Sequence, residues 1–402
     1  MKEVLAVDIG SDAVKVVIGE EEEGRLLVKG YSEVPAKGAL RAGAVLDMKG
    51  AAEAITEAVR SAAQMANVRP ELLAQVVGIT GAQVHNKGCR GAVAVKGKQV
   101  TEADIARDKE QAKVSLRLPS NHEVIYLHPN FFTLDDGRTV RNPVGFSTKR
   151  LEMSGYVVTA ERGYLENLQN CLRETPLSDP TLFFQPIAAS FGVLNKEDFS
   201  EGAVLLDLGK AMTQLAVWAD GMLVHADVLR GGGEYLVNRV AGEFRLTRQT
   251  ASWLIKTYGR LDKVQDEILN IRDPRHGTQH TVSRARLGEV LASTLEEHLG
   301  GVLSTLEGSG VLEAISSGTV LVLVGGLAKL EGIEVLAQDV FDMPAVVGKP
   351  KGVELYEPEL DDPRFAVAVG LLRMAFKEEG KSLKRGIFKG LREVFKKIKE
   401  VF

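Results

Sequence analysis

Asp8 and Asp207 are the side chains best placed to do chemistry, because each sits in the same short pattern. Leu5 to Gly19 reads LAVDIGSDAVKVVIG and Leu205 to Trp218 reads LLDLGKAMTQLAVW: apolar run, Asp, apolar residue, Gly, three-residue turn, apolar run. Asp8 answers Asp207, and Gly10 answers Gly209. Each stretch reads as two β-strands joined by a tight polar turn, with a carboxylate where the first strand ends. Glycine has no Cβ and tolerates positive φ, so a turn such as Gly10-Ser11 can bring backbone N–H groups close to an anion. The neighbouring carboxylate does not bind phosphate itself, but it holds Mg²⁺ through water, and Mg²⁺ takes one or two carboxylates with phosphate oxygens. Two such hairpins, one from each half of a duplicated chain, would clamp a nucleotide and its metal between them, with Asp8 and Asp207 as the metal carboxylates. Solvated aspartates in unrelated hairpins are the plain alternative.

The elements that must hold these residues follow from a third stretch, TVLVLVGGLAKLEGIEVLA, Thr319 to Ala337. A five-residue apolar strand runs into Gly325-Gly326, and helical spacing then takes over at Leu330, Ile333 and Leu336. Strand, glycine pair and helix let a nucleotide approach the backbone. In the first half, a strand near Leu26 to Val34, a helix from Lys49 to Met65 and a buried strand from Val76 to Ile79 read as half of an α/β domain. From about Val84 to Ala160 the pattern becomes that of a small inserted α/β unit, with a helix beginning near Thr101 and Asp104 three residues on.

In order and spacing, the three stretches resemble the two phosphate hairpins and the adenosine motif of the actin-like ATPase superfamily. Within it, the chain is similar over nearly its whole length to the FtsA family of bacterial cell-division proteins. The resemblance takes in RAGAVLDMKGAAEAI (Arg41 to Ile55), VVGITGAQVHNKGCRGAVAV (Val76 to Val95), VTEADIARDKEQAK (Val100 to Lys113), RNPVGFSTKRLE (Arg141 to Glu152), QPIAASFGVL (Gln185 to Leu194) and DPRFAVAVGLL (Asp362 to Leu372). It implies an α/β, actin-like two-domain fold of duplicated ribonuclease-H-like halves, with an inserted 1C subdomain and a C-terminal amphipathic helix. The implied parts are 1A at 1–83 and 161–188, 1C at 84–160, 2A at 189–228 and 309–373, 2B at 229–308, a linker at 374–382 and a terminal helix at 383–402. ATP and Mg²⁺ are the implied cofactors. The nucleotide set is Asp8, Gly10, Ser11, Asp12, Lys15, Asp207, Gly209, Lys210, Thr213, Gly232, Gly233, Glu234, Lys256, Gly325, Gly326 and Lys329. Gln185 opens the segment that carries the water-directing polar residue in this superfamily. An amide orients water but takes no proton from it, which implies at most slow hydrolysis.

Two stretches depart from the family. Gly209-Lys210-Ala211-Met212-Thr213 replaces a glycine run, so two Cβ atoms enter the turn, with Lys210 either compensating by charge or filling the space. In relatives the helix ending Tyr-Gly carries a Glu and a Lys for ribose and adenine; counting back from Gly259, those places hold Ser252 and Ile255, with Lys256 shifted by one.

The last segment, LKRGIFKGLREVFKKIKEVF, sets Ile387, Phe388, Leu391, Val394, Phe395, Ile398 and Phe402 on one helical face. Lys389, Arg392, Lys396 and their neighbours fill the remainder, and residues 381–402 carry a net +6 within a chain of net −4. Such a helix is too polar to cross a bilayer but can lie in an anionic membrane surface, where each cation contributes about 1 kcal/mol; a terminal helix docked on its own core is the plain alternative. Polymerisation would multiply so marginal an anchor. The family resemblance implies as partners the chain itself in a filament, the C-terminal tail of the tubulin-like protein FtsZ through 2B, later divisome membrane proteins through 1C, and the inner face of the cytoplasmic membrane at the division site. The basic stretch Arg272 to Arg286 would suit an acidic tail or serve as a solvated loop. A PilM-like binding module of type IV pilus assembly is the alternative function. A small-molecule kinase of the same superfamily lacks any identifiable phosphoacceptor pocket here.

Composition narrows the field further. At 402 residues the chain exceeds one ordinary domain. Its acidic balance gives no reason to expect nucleic acid, and Cys89 and Cys171 lack metal-ligand spacing and fit a reducing cytoplasm. The first hairpin begins so early that no signal peptide is expected, and no apolar run reaches the roughly 20 residues of a membrane span.

Overall fold

The computed structural model describes residues 3–22, 25–262, 266–272, 277–316, 318–354 and 358–383. The first half begins with the antiparallel strands β1 (Val4–Ile9), β2 (Ala13–Glu22) and β3 (Arg25–Pro35). A short ribbon of β4 (Leu40–Arg41) and β5 (Ala44–Val45) leads to helix α1 (Met48–Ala66). Ala51, Ala54, Ile55, Ala58 and Ala62 of α1 are buried along one face, as their helical spacing predicts. Strand β6 (Ala74–Ile79) then runs parallel to β1. All six residues of β1 are buried, as a strand flanked on both edges and covered on both faces requires.

The insert comprises β7 (Val84–Ala94), α2 (Glu102–Val114), β8 (His122–Leu134), β9 (Thr139–Val140) and β10 (Arg150–Glu161). Its strands form a separate antiparallel sheet in the order β7-β10-β8-β9, with its own core of Cys89, Ile105, Phe132, Leu151 and Met153. Thr101 and Asp104 make the reciprocal cap that starts α2. The insert leans on the second half. Asn130 donates to the Leu223 carbonyl at 2.8 Å and accepts from the Leu223 N–H at 3.1 Å, while Tyr156 donates to the Val224 carbonyl.

Helix α3 (Arg162–Arg173) and strand β11 (Thr181–Phe184) return the chain to the first sheet, and α4 (Gln185–Val193) and α5 (Lys196–Glu201) lead out of it. The opening motif then repeats as β12 (Ala203–Leu208), β13 (Met212–Ala219) and β14 (Met222–Arg230). Next come helices α6 (Gly233–Glu243) and α7 (Arg248–Tyr258), strands β15 (Ile268–Arg272) and β16 (Gln279–Ser283), and the long helix α8 (Arg284–Gly308). The chain then runs through β17 (Val320–Val324), α9 (Ile333–Phe341), β18 (Ala345–Val347) and β19 (Val353–Glu354), and the described part closes with α10 (Ala366–Leu383). The two large sheets run β11-β6-β1-β2-β3-β19 and β14-β13-β12-β17-β18. In each, a three-strand meander is followed by a strand parallel to its first member, β6 on β1 and β17 on β12.

Several local expectations differ from what is observed. After Gly325-Gly326 a single 3₁₀ turn (Leu327–Lys329) comes first and α9 starts at Ile333, because Gly332 at φ 88° interrupts the helical spacing begun at Leu330. The basic stretch Arg272 to Arg286, expected as an acidic-tail contact or a solvated loop, takes in strand β16 of the hairpin β15–β16, in which Leu269, Ile271 and Val282 supply an apolar face to the second-half core. Residues 374–382, expected as a linker, belong to α10, since Glu378, Glu379 and Lys381 are good helix formers and only Gly380 is poor. The expected 1A/2A boundary at 188/189 falls inside α4, and β19, from the segment expected in 2A, pairs with β3 of the first sheet. Both cysteines are buried and unpaired, with their thiols pushed up to about 11 by burial. Residues 384–402, which carry the expected membrane-facing set Ile387, Phe388, Lys389, Leu391, Arg392, Val394, Phe395, Lys396, Ile398 and Phe402, lie outside the described residues. Among the described residues, no helix is long and apolar enough to cross a membrane.

Candidate functional site

Both Asp-Gly hairpins open on one cleft of about 780 Å³ between the two halves. In each, the glycine N–H closes the turn, Gly10 on the Ala13 carbonyl at 3.1 Å and Gly209 on the Met212 carbonyl at 3.0 Å. The reason for glycine is crowding rather than left-handed backbone. A Cβ would stand 2.7 Å from the Ala13 oxygen or 2.9 Å from the Met212 oxygen, and neither residue has positive φ. Among the described residues, the tip amides at 11–12 and 210–211 have no backbone acceptor.

The strand registers decide what each carboxylate meets. Asp8 pairs across β1–β2 with Lys15, and Asp207 pairs across β12–β13 with Gln214. Lys15 Nζ lies 3.1 Å from Asp8 Oδ2. Burial alone would lower this ammonium, but Asp8 more than offsets it and the Lys15 pKa is raised. Among the described residues Asp207 has no cation in contact, and burial, reinforced by the nearby charge of Asp8, pushes its carboxyl up to about 7. Gly325, at φ 88°, makes room for it, since a Cβ there would fall 2.3 Å from Asp207 Oδ1.

A chain of buried side-chain amides joins the two carboxylates across the cleft floor. Gln185 Nε2 donates to Asp8 Oδ1 at 3.1 Å and to the Gly78 carbonyl at 3.2 Å, while Gln214 Nε2 donates to Gln185 Oε1 at 3.1 Å and to Asp207 Oδ2 at 2.9 Å. Thr80 completes it by donating to Gln214 Oε1 at 2.7 Å. Gln185 therefore lines the cleft with both ends of its amide engaged.

At the mouth, Asp12 faces Lys210 at 3.1 Å and Lys256 at 3.9 Å. Partial burial alone would raise the Asp12 carboxyl, but Lys210 with Lys256 and Lys15 holds it below the usual range. Arg41 of the first half reaches Glu234 of the second at 2.7 Å. The rim carries Lys329 and Arg364 on Asp362, which is driven to about 2: burial would raise it, and these two cations outweigh that.

Of the nucleotide set expected from the sequence, Asp8, Gly10, Ser11, Asp12, Lys15, Asp207, Gly209, Lys210, Gly233, Glu234, Lys256, Gly325, Gly326 and Lys329 line this cleft. Thr213 and Gly232 do not. Thr213 is buried behind it on the Gly231 carbonyl and His298, and Gly232 packs on the Gly209 carbonyl. The N–H groups of Gly233 and Glu234 donate to the Gly209 and Lys210 carbonyls, so the start of α6 braces the second turn. Ser11 Oγ accepts from the Ala42 N–H. Ser252, Ile255 and Lys256 all face the cleft, and with Arg248 from its first turn α7 keeps two cations there despite the altered spacing. Sequence reasoning missed Gln214, Arg248 and Arg364. Gln214 was findable as the position matching Lys15 in the second hairpin.

The donor set fits a magnesium nucleotide. Asp207 keeps one carboxylate oxygen without a donor among the described residues, whereas both oxygens of Asp8 are engaged. Lys210, Arg248 and Lys256 supply positive charge on the second-half wall, and Leu327, Leu330 and Ile255 supply apolar surface.

Comparison with known proteins converges on one family. The model for "Cell division protein FtsA" matches residues 204–370, and that for "SHS2 domain inserted in FTSA" matches 81–159. Similar curated proteins include the cell division protein FtsA of Neisseria meningitidis, 28% identical with 94% of this chain and 91% of that protein covered. The corresponding Pseudomonas aeruginosa protein is 28% identical over 96% and 92%, and that of Bacillus subtilis 26% over 92% and 83%. Among solved structures, the chain is similar to the PilM-PilN type IV pilus biogenesis complex, with TM-score 0.66, 19% identity and coverage of 92% and 98%. It is also similar to MreB5 of Spiroplasma citri bound to ADP, with TM-score 0.58, 14% identity and coverage of 96% and 99%. The fold is actin-like and α/β, with an SHS2 insert. Since two FtsA models match separate segments that together exceed half the sequence, and FtsA proteins of several bacteria align along nearly all of it, the chain belongs to the FtsA family of cell division proteins.

Proposed function

We propose that this chain binds ATP with Mg²⁺ in the interlobe cleft, assembles into filaments and ties FtsZ to the inner face of the cytoplasmic membrane at the division site. The observation that carries the reading is the convergence of both Asp-Gly hairpins on one cleft in a member of the FtsA family. The bound ion would neutralise phosphate charge beside the two aspartates. Asp207 would hold it through its free oxygen, with Asp8 paired to Lys15 beside it. Lys210 and Lys256 would leave Asp12 and turn to the phosphate oxygens, and the tip amides at 11–12 and 210–211 would donate to them. Gln185 would orient the attacking water only after giving up a bond to Gln214 or Asp8, which accords with slow hydrolysis.

The partition into 1A, 1C, 2A, 2B and a terminal helix at 383–402 belongs to the same proposal. In it, 2B (229–308) receives the FtsZ tail, 1C (84–160) meets later divisome proteins, and the terminal helix lies on anionic lipid. The PilM likeness rests on fold alone, and the sequence relatives favour the cell-division reading.

Calorimetric titration with ATP and Mg²⁺ tests the cleft. The parent is expected to bind only with Mg²⁺ present, and Asp207→Ala to weaken binding at least about tenfold; equal affinity would refute the assignment. Lipid co-sedimentation of the full chain against one stopped at Glu379 tests the tether, and equal pelleting would remove it from the reading.

A further inference from the structure

Away from the cleft, three side chains of metal-ligating type converge at the neck where the insert joins the first half. His85 lies near the start of β7, His122 at the start of β8 and Glu161 at the end of β10, the strand between them. The registers set His85 opposite Thr159, and Glu161 opposite His122. Cross-strand partners share a face, as do residues two apart on one strand, so register alone puts all three on the same side of the sheet. The two imidazoles stack with centroids 5.0 Å apart and 23° between planes, and one ligand atom from each of the three residues lies within 4.8 Å of the others.

The neighbouring cations do not answer the Glu161 carboxylate. Arg162 donates to Glu123 at 3.0 Å, and Lys87 donates to the Arg117 carbonyl at 3.4 Å. Among the described residues no cation pairs with Glu161, so a carboxylate beside two imidazoles awaits a charge from solution.

We propose that His85, His122 and Glu161 form a site for a divalent transition metal, Zn²⁺ above all, with water completing the coordination sphere. Two imidazole nitrogens and one carboxylate suit Zn²⁺, whereas Mg²⁺ and Ca²⁺ take oxygen ligands. Tetrahedral Zn²⁺ at bond lengths of about 2.0–2.2 Å needs its donors roughly 3.3 Å apart. Side-chain rotation closes that gap, since His85 is exposed and the other two are half-buried. The ion ties together three strands at their root, where β7 leaves the first half and β10 runs directly into α3. It thereby stiffens the mount of the insert, independently of any nucleotide in the cleft.

The test is a Zn²⁺ titration of the full chain in excess Mg²⁺, which occupies oxygen sites, with Co²⁺ as an optical probe of ligand type. The expected result is one Zn²⁺ per chain, a rise in Tm with the metal, and a Co²⁺ spectrum without a thiolate band. His85→Ala and His122→Ala should each weaken binding at least about tenfold, and Glu161→Gln should weaken it while keeping the shape of the side chain. The double variant His85→Ala/His122→Ala should keep the metal-free Tm of the parent, which separates loss of the site from loss of the fold. No stoichiometric binding, unchanged binding by the double variant, or a thiolate band pointing to Cys89 or Cys171 would each overturn the proposal.

Discussion

In the first hairpin Asp8 meets a lysine across the strand pair, and in the second Asp207 meets an amide at the matching place. The backbones repeat, down to the glycine closing each turn on the carbonyl three residues on. What differs is who balances the charge. Lys15 keeps Asp8 as one half of a buried ion pair, while Gln214 offers Asp207 a hydrogen bond and no countercharge. Duplication therefore conserved the geometry of the cleft and divided its electrostatics: one wall is internally neutralised, and the other has a carboxyl that titrates near neutrality.

The largest effect that separates the two walls is expected from removing Lys15. Lys15→Met strands Asp8 in the core and should cost about 3–5 kcal/mol in urea unfolding, against about 1–3 kcal/mol for Gln214→Leu, which removes hydrogen bonds but no countercharge. Equal losses would erase the distinction.

A second effect is one of pH. Because the folded-state pKa of Asp207 is raised to about 7, its protonated form contributes stability that is fully present below the unfolded value near 3.8 and is lost as pH rises through about 7. Asp207→Asn should flatten that part of the stability profile, and Gln214→Lys should flatten it too by setting a cation beside the carboxyl, at the place where Lys15 stands beside Asp8. A profile unchanged in Asp207→Asn would mean that Asp207 is ordinarily ionised.

Gly325→Ala comes next. Its methyl would meet Asp207 Oδ1 in a left-handed backbone, so a loss of about 1–3 kcal/mol is expected, together with weaker Mg²⁺-dependent nucleotide binding. Gly326→Ala, with open space around its Cβ position, serves as the control.

The smallest effect falls at the mouth. The Asp12–Lys210 pair is well exposed, so Lys210→Gly should change stability by no more than about 1 kcal/mol and show itself mainly as a shallower salt dependence of nucleotide affinity. A loss as large as that of Asp207→Ala would make Lys210 the principal phosphate ligand.

The hairpins, the glycine pair and the cap of α2 were legible because each is a local pattern with a local cause. Thr101 and Asp104 need only each other to start a helix, and Gly10 and Gly209 answer to a carbonyl three residues away. The amide bridge was not legible. Gln185 and Gln214 meet across the molecule, and neither residue type announces which of its many hydrogen-bonding options the fold will choose. The β15–β16 hairpin was hidden for a related reason: polar and basic residues on its outer side mask a short alternation of Leu269 and Ile271 that acquires meaning only against the second-half core. Likewise Arg248 is one cation among many until α7 turns its first turn toward the cleft.

Helix α10 begins with Ala366 and Val367 in the cleft wall, lies along α4, whose first residue is Gln185, and ends at Leu383, about 27 Å further on. The described chain thus ends on a stiff shaft rooted in the cleft wall. A load applied at the far end would be felt at the pocket, and a change of grip at the pocket would re-aim whatever the far end holds.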